Sequence, residues 1–250
     1  MKPVLLFVLI SLVILQSCEK TSSESAGFTP SAAATSGANG SLTRFITYNN
    51  FLYIVDNNNL KSFDISNPVP VLKKTTNVGF NIETIFEYQG KLFIGSNNAI
   101  FIYGLSNPEQ PELISQFNYF IPGRDPVVVV DSVAYSTTRN FNGFGGNLNI
   151  VNIKNLNQPI SMGSRTVINP YGLAIKGNAL YVCNGSSGIS VFNRSNPYNP
   201  VLAQEFTSVN ETFYDLIVRG NIMVCYIKSG IVILDVSTSL QPTFVSKIKN

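Results

Sequence analysis

The carboxylates Glu83 and Asp125 stand at matching points of a repeat in this 250-residue chain, and Asp215 stands one step past its own matching point. Two such groups facing each other across a pocket are the machinery of glycoside hydrolysis, as acid and as base or nucleophile. Their setting argues against that use. No aromatic–carboxylate motif accompanies them, and their spacing places them on loops rather than deep in strands. Histidine is absent, which removes the commonest general base and the commonest metal ligand. Catalysis would have to rest on carboxylates, Tyr, Lys, Ser or Cys. No catalytic residue is assigned, and no metal or cofactor is expected. The glycine run Gly143–Gly146 has neither the lysine nor the strand-to-helix setting of a phosphate loop. Tryptophan is also absent, leaving Tyr and Phe as the only stacking platforms.

Composition narrows the class. Charged residues make up 12% and hydrophobic residues 44%, and that charged share is roughly half the usual one. Abundant Val, Ile, Phe, Tyr, Asn and Gly suit an all-β chain with many tight turns. The formal charge of +3 is scattered, with no basic stripe beyond Lys73-Lys74, so nucleic acid is not an expected partner.

The amino terminus is an address. Lys2 is followed by an apolar run from Val4 to Leu15. About twelve residues suit a signal-peptide core and fall short of the ~20 a membrane-spanning helix needs. Leu15-Gln16-Ser17-Cys18 resembles the lipobox of bacterial lipoproteins. That resemblance implies cleavage before Cys18 and acylation of its thiol. Several acyl chains on one residue give stable membrane attachment. Residues 19–40 are rich in Ser, Ala, Thr and Gly and read as a flexible tether. The expected division is a signal peptide at 1–17, lipidated Cys18 with a disordered tether at 18–40, and a folded domain at 41–250. The expected location is the cell envelope, at the surface or periplasmic side of an outer membrane.

The folded part is one unit repeated. Asp64-Ile65-Ser66-Asn67-Pro68-Val69-Pro70 returns as Gly104–Pro111, Lys154–Pro159, Asn193–Pro200 and Asp235–Pro242. The last prolines stand at 70, 111, 159, 200 and 242, at intervals of 41, 48, 41 and 42. A second landmark keeps the same period: Phe51–Ile54, Lys91–Ile94, Val133–Tyr135, Ala179–Val182 and Ile222–Val224, each after a turn such as Gln89-Gly90 or Gly177-Asn178. Each unit reads as four short strands with a proline break before the last. Four strands per ~40–45 residues is the spacing of a propeller blade.

These units resemble LVIVD repeats, a propeller-type repeat of surface and secreted proteins. The resemblance is clearest at 64–70 and 193–200. Units three and five depart from it, since neither has the first proline and Val224 stands where an aromatic is expected. It implies a β-propeller and an extracytoplasmic location, and no particular activity. The expected fold is all-β, with about five four-stranded blades near 43–76, 81–118, 124–165, 170–207 and 213–248. No strand is exchanged between the ends, so ring closure would rely on blade-to-blade packing, with a solenoid-like open stack as the alternative.

The repeat register also locates a rim. The candidate binding residues are Glu83, Arg124, Asp125, Tyr171, Tyr214 and Asp215, with Arg139, Phe141 and Phe144 on an inserted loop in unit three. Two phenylalanines in a Gly/Asn loop are costly to leave in water. They fold over the channel mouth, touch a partner, or pack against blade four. The register puts Cys183 and Cys225 on opposite faces of neighbouring blades, so a disulfide between them can form outside the cytoplasm. Two buried free thiols are the alternative.

The reading that best fits these features is a lipid-anchored envelope protein whose propeller is a non-catalytic module for a protein or glycan. A carboxylate-dependent glycan-active enzyme and a purely structural envelope protein are the alternatives.

Overall fold

A computed structural model describes residues 42–119, 126–140 and 145–250. Cys18 and the tether lie outside the described residues, as do Arg124, Asp125, Phe141 and Phe144. The sheets all belong to one compact unit, residues 35–250.

That unit is a β-propeller of five antiparallel sheets, each made of four strands consecutive in the chain. Blade one comprises β1 (Phe45–Tyr48), β2 (Phe51–Val55), β3 (Asn59–Asp64) and β4 (Val71–Asn77). Blade two comprises β5 (Ile82–Glu87), β6 (Lys91–Ser96), β7 (Ala99–Gly104) and β8 (Glu112–Asn118). Blade three comprises β9 (Val127–Val130), β10 (Val133–Arg139), β11 (Gly146–Asn152) and β12 (Ile160–Val167). Blade four comprises β13 (Leu173–Lys176), β14 (Ala179–Cys183), β15 (Ile189–Asn193) and β16 (Val201–Phe206). Blade five comprises β17 (Phe213–Arg219), β18 (Ile222–Ile227), β19 (Gly230–Asp235) and β20 (Thr243–Lys249).

Local sequence explains the repeat. The first hairpin of every blade begins with a left-handed residue: Asn49, Gln89, Asp131, Gly177 and Gly220, with φ of 52°, 50°, 55°, 54° and 59°. Positive φ matches a tight turn to the twist of its strands, and Asn, Asp and Gly bear it at least cost. Every third-to-fourth strand pairing carries a register shift at the same place: Ser62/Phe63, Ile102/Tyr103, Asn149/Val151, Val191/Phe192 and Ile233/Leu234. A bulge there bends the outer strand and raises its twist. The Asp/Asn-x-Ser start of the proline turn caps itself. Asp64, Asn152, Asn193 and Asp235 each accept a hydrogen bond from the backbone N–H two residues on.

Blades are joined by tyrosines of the second strand. The Tyr53 hydroxyl donates to the Pro108 carbonyl at 2.8 Å, Tyr135 to Pro197 at 2.6 Å and Tyr181 to Ser239 at 2.5 Å. Each bond runs from one blade to the proline turn of the next. Blade two has Phe93 there, and the Ser115 hydroxyl donates to the Leu156 carbonyl instead. Between blades three and four, Arg194 is only 6% exposed. It donates to the Gly177 carbonyl at 2.7 Å, the Tyr135 hydroxyl at 3.3 Å and the Asp131 carboxylate at 3.1 Å.

The core is layered between blades. One buried cluster lies between blades one and two, one runs through blades two to four, and one lies between blades four and five. Among the described residues no buried cluster joins blade five to blade one. The physical sign is the burial pattern. Most of β6, β10 and β14 is buried on both faces, whereas β2 and β18 bury alternate residues only.

Candidate functional site

Blades three, four and five bring four polar and aromatic side chains into one row. β10 ends at Arg139, paired with Gly146 at the start of β11. A side chain on Gly146 would collide with the Thr138 carbonyl and with Pro170, so glycine lets this hairpin lie close against blade four. That approach puts the Arg139 guanidinium 3.9 Å from the centre of the Tyr171 ring, a cation–π contact. Tyr171 meets Tyr214 edge-on, with ring centres 5.4 Å apart, and Tyr214 leans on Tyr226 at 5.6 Å.

The backbone beneath is fixed. The Tyr171 N–H donates to the Cys183 carbonyl at 2.8 Å, and the Gly172 N–H donates to the Tyr214 carbonyl at 2.9 Å. The Thr137 hydroxyl donates to the Tyr171 carbonyl at 2.7 Å. Asp215 packs directly on Gly172, in the space a Cβ would need. Past Tyr226 the row opens on a cavity of about 160 Å³ lined by Asp215, Leu216, Ile217, Val224, Tyr226 and Ile231. Beside Tyr171, the side-chain oxygens of Asn169 and Asn184 are buried with no hydrogen-bond partner. An unsatisfied buried acceptor costs about 1–3 kcal/mol, so both are strong acceptors for a donor that reaches them.

Of the expected rim residues, Arg139, Tyr171, Tyr214 and Asp215 thus come together. Glu83 stands apart on β5, half-buried at a register shift of blade two. Arg124, Asp125, Phe141 and Phe144 fall outside the described residues. Tyr226 was not among the expected residues, because it lies on a second strand and not on a rim loop. Its signal was nonetheless in the repeat: the matching positions are Val55, Gly95, Thr137 and Cys183, all smaller.

Cys183 and Cys225 are buried and free, the second of the two states the register allowed. They do share the core between blades four and five. Sheets packed face to face stand about 10 Å apart, whereas a disulfide needs Cα atoms within about 7 Å. Burial pushes both thiols upward, with the Asp215 charge adding to it; Cys225 reaches about 12 and Cys183 lies well above its ordinary value. Neither is a thiolate at neutral pH, so neither is a nucleophile.

Comparison with known proteins agrees with the architecture. No curated protein matches the chain. Among solved structures, a protein from Lactobacillus plantarum superposes with a TM-score of 0.66 at 10% identity, covering 82% of this chain and 69% of that one. AztD from Citrobacter koseri gives 0.57 at 13% identity, covering 82% and 62%. BamB from Moraxella catarrhalis gives 0.55 at 10% identity, covering 78% and 57%. At such identities the likeness is one of fold, and this chain spans roughly two thirds or less of each of those lengths. Residues 40–78, which contain blade one, match the LVIVD repeat family. The chain is therefore a five-bladed β-propeller whose first blade matches the LVIVD repeat.

Proposed function

We propose that this chain is a lipid-anchored protein of the cell envelope whose propeller is a non-catalytic interaction module for a protein or glycan. The row Arg139–Tyr171–Tyr214 carries this reading. Recognition surfaces combine flat apolar faces with a few fixed polar groups. Here the Tyr171 and Tyr214 rings stand beside the Arg139 guanidinium. The inserted loop with Phe141 and Phe144 follows Arg139 directly in sequence.

Residues 35–250, immobilised, are the bait for native envelope extract and the probe for a glycan array. Protein capture lost in Tyr171→Ala and Tyr214→Ala, and weakened in Phe141→Ala with Phe144→Ala, is the result expected of a protein partner. Glycan binding lost in the same tyrosine variants is the result expected of a sugar. Binding unchanged in all of them would overturn the reading.

The anchor is tested separately. Cells fed a tagged fatty acid should label the native chain and not Cys18→Ala, and only the native chain should partition into detergent. Equal partitioning of both would remove Cys18 as the anchor.

A further inference from the structure

Among the described residues, the end blades leave two sheet faces without a neighbour. In blade five, Met223, Cys225 and Ile227 are buried, while Ile222 and Tyr226 on the other face are 41% and 57% exposed. In blade one, Ile46, Tyr53 and Val55 are buried, while Phe45 is 61% exposed and Leu52 and Ile54 are only partly covered. The two faces are complementary in sense. Blade five offers the face that blades one to four press on the next blade. Blade one offers the face that blades two to five press on the blade before. They are the two halves of a joint that the chain makes internally between each pair of consecutive blades.

We propose that a second copy of this chain completes the joint, with blade five of one copy packed head to tail on blade one of the other. Three observations favour a second copy as the occupant. The joint continues an interface already built four times, with the same strands and the same face sense. The tether cannot fill it, because from Glu19 to Ser41 only Phe28 is a large apolar residue. Charge also fits. Arg44 and Asp215 hold the same place in the repeat, and equivalent places meet across the existing joint where Asp215 packs on Gly172. A copy-to-copy joint thus brings Arg44 towards Asp215.

One feature sets this joint apart from the internal ones. Val224 stands where Tyr53, Tyr135 and Tyr181 donate to the next blade. The joint between copies lacks that hydrogen bond and is held by apolar contact and charge, so it is reversible. Its two halves differ, so it is heterologous: two joints close a pair of copies, and an unclosed series extends.

The test is the mass of residues 35–250 by sedimentation equilibrium across a hundredfold range of concentration. The expected result is at least a twofold mass at high concentration that falls to the monomer on dilution. Phe45→Asp and Ile222→Asp, both exposed and so compatible with folding, should each hinder assembly. Mixing these two variants should restore a dimer, because one supplies an intact blade-five face and the other an intact blade-one face. Circular dichroism confirms that each variant is folded. A monomer at every concentration, or assembly unaffected by either variant, overturns the proposal. Failure of the mixture to recover overturns its head-to-tail form.

Discussion

The Asp215 carboxylate occupies the space that a Cβ on Gly172 would fill, and the Asp215 Cα itself stands 2.9 Å from that point. Two blades touch there through the absence of a side chain. Gly172→Ala should therefore push blade five off blade four. A loss of about 1–3 kcal/mol is expected from such overpacking, read by urea unfolding. The Tyr171–Tyr214 contact should loosen with it, seen as a change in near-ultraviolet dichroism. Unchanged stability would mean that the blades slide apart freely.

Arg194 should be worth more than its ion pair. Its partner Asp131 has a side chain 71% exposed, against 6% for Arg194, so water screens the charge pair. The larger effect comes from the Gly177 carbonyl and Tyr135 hydroxyl that Arg194 satisfies. Arg194→Ala is expected to cost about 2–4 kcal/mol through lost packing and stranded buried acceptors. Asp131→Asn should cost under about 1 kcal/mol. Equal losses in the two variants would assign the effect to the ion pair.

Removing the hydroxyl alone from Tyr53 or Tyr181, as phenylalanine, should cost about 1 kcal/mol each through the hydrogen bond to the next blade. The two bonds lie in different joints, so a double variant should show additive losses. Strong non-additivity would imply coupling along the whole row of blades.

Acid should unfold the domain gradually below neutral pH. Asp64 is held down to about 2, chiefly by hydrogen bonds from Ser66 and by Lys73. Asp56 is lowered chiefly by the Asn58 N–H, Asp235 by the Ser237 N–H and Glu211 by Lys247. All four have folded values below their unfolded ones, which lie near about 4. Their stabilisation is fully present above the unfolded value and is lost as pH falls through the folded values. Half-buried Glu87 is shifted upward by desolvation and works against them. Melting temperature should hold from pH 7 to about 5 and fall from there towards pH 2. Asp64→Asn with Asp235→Asn should melt lower at pH 7 and flatten the acid limb. A profile flat down to pH 2 would contradict these shifts.

Both described thiols should resist an aromatic disulfide reagent until the fold opens. Cys183 and Cys225 are buried and held protonated, and only an accessible thiolate reacts. Residues 35–250 should therefore release no chromophore in buffer and two equivalents in denaturant. A reductant should leave the melting temperature unchanged.

The blade period was legible because two kinds of residue mark it independently: the proline turn and the hydrophobic second strand. The fourth blade, expected near 170–207, is matched by β13 to β16, which run from Leu173 to Phe206. The end faces were not legible. Ile222, Val224 and Tyr226 read as a strand buried on both sides, since apolar character alone does not say which chain supplies the neighbour. Arg194 was hidden inside a turn motif, where blades one, two, three and five have Ile65, Leu105, Ile153 and Val236. Most of the site was visible, because Arg139, Tyr171, Tyr214 and Asp215 stand on the loops and strand ends where the register meets the rim. Tyr226 reaches that rim from within a strand, and only the fold shows how far its ring extends.

Each sheet draws all four strands from one uninterrupted stretch of chain. Partners in the sheets are therefore near in sequence, which favours rapid closure of each unit. A chain made from its amino end can finish blade one while blade five is still unmade. Synthesis need not wait for a distant terminus to return and lock the first sheet. Duplication or loss of a single repeat would likewise leave every remaining sheet with its full set of strands, so this architecture can change length by whole blades without rethreading.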